Sequence, residues 1–576
     1  MMIARSGGIQ LLRHCTRRPI RSRSCVRTFS SPSATSVNTA ASPAHPLASV
    51  TTQLDRVSPR FEIDPSAVTI LNSPAAFYKT LKDKIHGARR RIYLSTLYIG
   101  KTEHELITTL DEALRDNPDL QVSILTDALR GTRESPDPSC ASLLVNLIIS
   151  HGERIKISMF HTPNLVGWRK KYIPRRINEG WGLQHMKLYG FDDEIMLSGA
   201  NLSSDYFTNR LDRYHVFSSK ELTDYYYKVH DAVCGLSYRL RPSKEAPDGF
   251  TLESPLHRGL PDPVWHPKRF KAYAKTVLEP LIQKPARQGM FPVSFSTEKT
   301  FVYPVAQFDI LLGEAKNQSF GDYEFASYAS TEKPTLIKLL RSLAENKELR
   351  NCNWTFTAGY FNIDPEISQL LIESAPESAK TLARVSEQSN STHSQPPCTV
   401  ITASPWANGF FGSAGISGML PAAYTLLSRR FLRDVAAAGR ESSIHLKEWR
   451  RGTVGEPGGW TYHAKGLWVT LPSTQGASAV SDSEDGDNRF PAVEGPSITL
   501  IGSSNYTKRS YSLDLEIGAL VVTGDQELQR KYKEETEWLQ RDAVVVTKDD
   551  LMKVERRVGL NVRIAMWLVE RLGGAL

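Results

Sequence analysis

The sequence predicts an α/β fold in two homologous halves, and three observations carry that prediction. Short β-branched and aromatic runs alternate with amphipathic helical stripes, the pattern of a layered sheet. The same order of elements returns in the second part of the chain. Each half then carries one copy of the same polar motif.

Ser73-Pro74 reads as an N-cap followed by proline at the first helical position, and Phe77, Leu81 and Ile85 recur on one face: a helix. Residues 92–99 follow as a strand. Leu106, Leu110, Ala113 and Leu114 form a second helical stripe that ends at Asn117-Pro118, and 122–125 returns as a strand. Later, Pro334 opens a helix with Leu336, Leu339 and Leu340; 354–360 is a strand, 363–372 a helix and 398–403 a strand. Even the spelling repeats loosely, Leu97-Tyr98-Ile99 against Gly359-Tyr360-Phe361. Self-similarity at so long a period means two halves, placed at 61–290 and 291–576, rather than a solenoid. Two segments of the second half, 375–397 and 471–496, are rich in Ser, Pro and acidic residues and poor in apolar ones; they are expected to be disordered surface insertions.

The chain has 576 residues, 40% hydrophobic and 23% charged, an ordinary globular balance. No run approaches the length of apolar chain that crosses a bilayer. The net charge of +9 resembles a nucleic-acid binder's, but seven arginines (Arg5, Arg13, Arg17, Arg18, Arg21, Arg23, Arg27) lie in residues 1–54, which hold no Asp or Glu. Removing them leaves +2 for the remaining 522 residues. That Arg- and Ser-rich, acid-free start lacks a long apolar stretch, so 1–29 reads as a mitochondrial transit peptide and 30–60 as a linker. Cys140, Cys234, Cys352 and Cys398 are scattered, with no C-x-x-C spacing and no His at ligand distance, so neither a disulfide framework nor a structural zinc site is expected.

The motif is the informative part. The first copy reads GWGLQHMKLYGFD at 180–192, holding His185, Lys187 and Asp192, then Ser198-Gly199-Ala200-Asn201. The second reads GWTYHAKGLWVT at 459–470, holding His463 and Lys465, then Gly502-Ser503-Ser504-Asn505. His to Asn is 16 positions in the first copy and 42 in the second, and the excess of 26 is the length of the insertion 471–496. Asp212 lies 11 after Asn201, and Glu516 lies 11 after Asn505. These residue types suit phosphoryl chemistry. His and Lys two apart on a strand share a face. Lys offers a point charge and Asn two donors to non-bridging oxygens, with Ser503 as a further donor. His suits both nucleophilic attack and proton transfer near neutral pH. Asp212 or Glu516 can hold an imidazole in one tautomer.

H-x-K-x4-D followed by G-S-x-N, present twice, resembles the phospholipase D superfamily. The resemblance implies two α/β sandwich domains packed about a pseudo-twofold axis with one shared active site. It also implies a phosphohistidine route, with His185 as nucleophile and His463 as acid and base. Lys187, Lys465, Asn201 and Asn505 would bind phosphoryl oxygens, and no metal or other cofactor is implied. The chain departs from the family at Thr470, where the second copy lacks the motif carboxylate, and at Ser198-Gly199, where Gly-Ser is usual.

The leader, the segment 460–468 and the segment 402–418 are similar to the mitochondrial phosphatidyltransferases of this superfamily. That implies CDP-diacylglycerol and glycerol 3-phosphate as substrates and a peripheral place on the matrix side of the inner membrane. Arg130 and Arg133, in a loop after a strand, are expected to bind substrate phosphate or to be a solvated turn. The basic run 169–177 and the terminal stretch 562–576 are each open between lipid contact and an ordinary structural role. Other acceptors, giving cardiolipin or phosphatidylserine, stay open, as do a phosphodiesterase acting on nucleic acid and a catalytically dead scaffold. The small charge outside the leader weighs against nucleic acid, and intact His and Lys in both copies weigh against the scaffold.

Overall fold

The computed structural model describes residues 46–571, apart from 284–295, 297, 314–315, 321–322, 328–329, 350–351, 377–397 and 473–494. The leader expected at 1–29 and nearly all of both polar insertions therefore lie outside the described residues.

Local rules shape the first unit as the sequence implies. Ser73 caps the helix Pro74–Gly87 by accepting the Ala76 N–H at 3.0 Å, and Phe77, Leu81 and Ile85 are buried. The strand Arg91–Ser95 is shorter than the expected 92–99 because the chain leaves the sheet after Ser95; Ile99 makes only an isolated bridge to Leu202. Later elements fall close to their expected places: Glu332–Glu345 and Pro365–Ser374 are helices, Asn353–Ala358 and Cys398–Ala403 strands.

Two nine-stranded sheets result. Six strands come in the same order in both. In the first they are Ile155–Phe160, Gln121–Asp127, Arg91–Ser95, Leu188–Phe191, Glu194–Ser198 and Tyr214–Ser218; in the second, Ile444–Trp449, Cys398–Ala403, Asn353–Ala358, Lys465–Thr470, Ile498–Gly502 and Glu516–Thr523. In each set the first three strands are parallel and the rest antiparallel. Parallel neighbours need helical crossovers, which is why the helices His104–Asp116 and Pro365–Ser374 sit where they do.

Each sheet has one apolar core against its own helices, and a third core lies between the sheets and belongs to both. Met186, Leu188 and Leu197 enter it from the first half, Tyr462, Ala464 and Ile501 from the second. At its centre Arg213, 1% exposed, pairs with Glu535 of the other half at 2.9 Å. From His45 onward the chain is one compact unit.

The N-terminal boundary needs correction. Residues 46–54, expected in the linker, form the helix Pro46–Leu54, whose Leu47, Val50 and Leu54 are buried in the second half's core. The strand Phe61–Ile63, expected in the first half, pairs with Thr300–Gln307 and so extends the second sheet. Pairing across the chain, invisible to local periodicity, decides both.

Candidate active site

Apolar and polar residues alternate through His185-Met186-Lys187-Leu188, so Met186 and Leu188 enter the shared core while His185 and Lys187 face away from it. The histidines lie just ahead of the strands they were expected on. Leu188–Phe191 begins after Lys187, and Lys465–Thr470 begins at Lys465. What holds each histidine is a short ladder to the opposite half. His185 N–H donates to Leu515 O at 3.0 Å, and Leu515 N–H to Leu183 O at 2.8 Å. Thr461–Tyr462 pairs in parallel with Arg210–Leu211, and His463 N–H donates to Leu211 O at 2.8 Å.

This register places each imidazole against the carboxylate one residue further along the opposing strand. His185 Nδ1 lies 2.9 and 3.0 Å from the two oxygens of Glu516, and His463 Nδ1 lies 2.6 Å from Asp212 Oδ2. A carboxylate only accepts, so both contacts favour the tautomer with the hydrogen on Nδ1 and the lone pair on Nε2, while Lys465 Nζ also lies 2.8 Å from His463 Nδ1. The ammonium groups fold back in parallel: Lys187 Nζ donates to His185 O at 2.8 Å and Lys465 Nζ to His463 O at 2.9 Å. Lys465 also comes within 3.5 Å of Asp212.

Burial dominates the electrostatics. It draws His463 down to about 3, helped by Lys465 and opposed by Asp212, and it holds His185 well below its ordinary value, with Lys187 adding to the effect. Both rings are therefore neutral at pH 7. Burial also lowers Lys187 to about 7 and raises Glu516 to about 7, each opposing the other's shift. Burial would raise Asp212 too, but Lys465 and the bond from His463 hold it below the usual carboxylate range.

The remaining expected residues divide. Asn201 sits beside the His463 ring: its amide donates to Tyr206 OH at 3.1 Å, and that hydroxyl is 3.3 Å from His463 Nε2. Asn505 Oδ1, an acceptor, is buried without a protein partner among the described residues. Ser503 does not face a phosphate. Its hydroxyl donates to Glu516 and accepts from Ile517 N–H at 3.0 Å, so it positions the carboxylate. The counterpart Gly199 explains the Ser198-Gly199 departure: a Cβ there would stand 2.5 Å from Lys465 Nζ and 2.7 Å from Asp212.

Asp192, expected to be catalytic, is instead structural. Its carboxylate accepts the N–H groups of Arg89, Arg90 and Arg91 at 2.7, 2.8 and 3.0 Å and closes the turn after Leu188–Phe191. Thr470 can replace it because no reacting group depends on it. Arg130 and Arg133 lie in and beside the helical turn Ala128–Gly131 rather than in an open loop. Arg130 lies over the Tyr98 ring at 4.1 Å and pairs with Glu134 at 3.2 Å, while Arg133 pairs with Glu134 and Glu179.

Sequence reasoning passed over Tyr206 and Tyr360, whose rings stand edge-on to His463 at 5.2 and 5.3 Å. The repeated spelling around Tyr98 and Tyr360 was the available signal. It also passed over Glu332, a buried carboxyl that burial pushes up to about 8.

No family model matches the chain. It is 42% identical over 509 residues to the CDP-diacylglycerol–glycerol-3-phosphate 3-phosphatidyltransferase of Saccharomyces pastorianus, covering 88% of each chain. It is 33% identical over 532 residues to the mitochondrial protein of the same name from Mus musculus, covering 89% of this chain and 84% of that one. Among solved structures, the phosphatidylserine synthase of Haemophilus influenzae shares the fold with a TM-score of 0.60 at 19% identity, covering 91% of this chain and 97% of that one.

Proposed function

The chain belongs to the CDP-diacylglycerol–glycerol-3-phosphate 3-phosphatidyltransferase family, and from that membership we propose how its two histidines divide the transfer of a phosphatidyl group to glycerol 3-phosphate. In the first step His185 Nε2 attacks the phosphorus that carries the diacylglycerol. A P–N bond forms, the P–O bond to the nucleotide breaks, and CMP leaves with that bonding pair. A leaving phosphate, with a second pKa near 6, needs little protonation at neutral pH. In the second step the acceptor's primary hydroxyl does have to lose a proton, and neutral His463 Nε2 takes it. The oxygen attacks phosphorus, the P–N bond breaks, and His185 is restored as phosphatidylglycerophosphate departs.

Glu516 and Asp212 hold the two rings in the required tautomer and stabilise the positive charge each acquires. Lys187, Lys465, Asn201 and Asn505 bind the non-bridging oxygens where charge grows in the transition state. Arg130 and Arg133, although each pairs with Glu134, take the substrates' other phosphates. What supports this reading is the crossed pairing of the imidazoles, which turns each Nε2 away from its carboxylate and leaves Tyr206 OH beside that of His463. The deciding experiment is a quench with CDP-diacylglycerol labelled in its diacylglycerol-bearing phosphate. The wild-type chain should retain acid-labile, alkali-stable label, and His185→Ala should retain none; label held equally by His185→Ala would overturn the assignment.

The enzyme works in the mitochondrion, peripherally on the matrix side of the inner membrane and without nucleic acid as a partner. Its acid-free leader and the named location of its vertebrate relatives support the compartment. No described helix is long and apolar enough to cross a membrane. The helix Gly167–Tyr172 supports the peripheral contact: Trp168 and Tyr172 are 67% and 70% exposed amid Arg169, Lys170 and Lys171. The terminal helix Leu560–Arg571 is divided, with Val562 and Met566 packed on Ala423 and Trp567 exposed.

A further inference from the structure

The two halves carry the same ion pair with opposite polarity. Counting from the motif asparagines, the fourth residue on is Asp205 in the first half and Arg509 in the second, and the ninth is Arg210 and Asp514. Both pairs form: Arg210 with Asp205 at 2.9 Å, Arg509 with Asp514 at 3.0 Å. The ninth residue lies on the cross-half ladder, two before the carboxylate that orients an imidazole. The ladder beside His463 therefore carries a guanidinium, and the ladder beside His185 a carboxylate. Asp514 spends one oxygen on Leu183 N–H at 3.0 Å. The order of the two charges is therefore reversed between the two sides of the site.

Arg210 is held in place. Its Nε donates to Thr461 Oγ1 at 2.9 Å, and its guanidinium lies over the Tyr206 ring at 4.6 Å. The hydroxyl of that ring touches His463 Nε2. Its Nη2 reaches toward Gly409, where an added Cβ would stand 3.2 Å from both Nη2 and Tyr360 OH. One phenol ring thus separates a fixed cation from the imidazole that faces the acceptor. Asp205, Tyr98 and Ser203 continue from there into a cleft of about 290 Å³.

We infer that Arg210 binds the phosphate of the acceptor and so makes the enzyme prefer a phosphorylated acceptor over a neutral polyol. The inference rests on the transfer reaction proposed above and adds a residue and a side of the site to it. On this reading the acceptor is received on the His463 side.

The test compares glycerol 3-phosphate with glycerol as acceptors. Arg210→Gln should raise KM for glycerol 3-phosphate about 10- to 100-fold and erase a comparable part of the preference over glycerol, the range for losing a charged hydrogen bond. KM for CDP-diacylglycerol should hold within about threefold. The double variant Asp205→Arg with Arg210→Asp copies the polarity of the second half and keeps an ion pair. It should fold and still lack the preference. An unchanged preference in Arg210→Gln, or wild-type KM in the swapped pair, would reduce Arg210 to a strut and overturn the inference. Wild-type protein that transfers equally to both acceptors would overturn the acceptor reading itself.

Discussion

His463 Nδ1 lies 2.6 Å from a carboxylate oxygen of Asp212, a residue 251 positions earlier and in the opposite half of the chain. His185 is served in the same way by Glu516, 331 positions later. Neither motif histidine takes its carboxylate from its own half, so the shared site is a consequence of folding the halves together.

Replacing either histidine should stop turnover in a distinguishable way. His185→Ala should abolish CMP release from CDP-diacylglycerol. His463→Ala should pass the first step and accumulate covalent phosphatidyl-enzyme, since only acceptor deprotonation needs it. Each should lower steady-state product by at least about 10³-fold. Near-normal CMP release in His185→Ala would remove it as nucleophile.

The orienting carboxylates should matter through tautomer rather than binding. In Asp212→Asn the new amide can donate to Nδ1 and drive the hydrogen onto Nε2, where the lone pair is required. The same holds for Glu516→Gln. Both should lose about 10²-fold or more in kcat with KM for CDP-diacylglycerol nearly unchanged, and a KM effect without a kcat effect would argue for a binding role.

Gly199→Ser would give the first copy the serine that the second has two before its asparagine, yet it should impair the enzyme. The added Cβ would press on Lys465 Nζ and Asp212. Circular dichroism should stay native while kcat falls at least about 10-fold. A fully active variant would show that Lys465 and Asp212 can give way without consequence.

The acid limb of stability should carry the mark of His463. Its pKa falls from the ordinary 6.5 to about 3 on folding, so between those values the unfolded chain binds more protons than the native one. Its contribution is complete above pH 6.5 and is lost as the pH falls toward 3. Wild-type protein should therefore lose more Tm between pH 7 and pH 4 than His463→Gln does. Parallel Tm curves would show that the ring is not held neutral by burial.

The Arg213–Glu535 pair should behave as a buried pair that fails when half is removed. Glu535→Ala leaves Arg213 uncompensated in the shared core, where it also contacts Leu500 O at 2.7 Å. Denaturant unfolding should show about 3–5 kcal/mol of destabilisation. Activity should fall with it, because Arg213 directly follows Asp212.

Much of the site was legible in one dimension. The H-x-K pairs, their asparagines and the carboxylates eleven positions on could be aligned by removing a single insertion, because a duplicated chain keeps its internal spacings. Strand and helix alternation was legible for the same local reasons, through caps and apolar periodicity. Asp192 was misjudged because a turn-closing carboxylate and a catalytic one look identical in sequence. Residues 46–54 were misjudged because their value lies in burial against a sheet formed hundreds of residues later.

The sequence alone thus determined which chemical groups the enzyme owns and that it owns them twice, since those facts depend only on composition and spacing. The tertiary structure decided which carboxylate serves which imidazole and that Arg210 stands on the ladder beside His463. Both pairings are properties of the strand register between the halves. A shift of one residue in that register would keep every motif and dismantle the site.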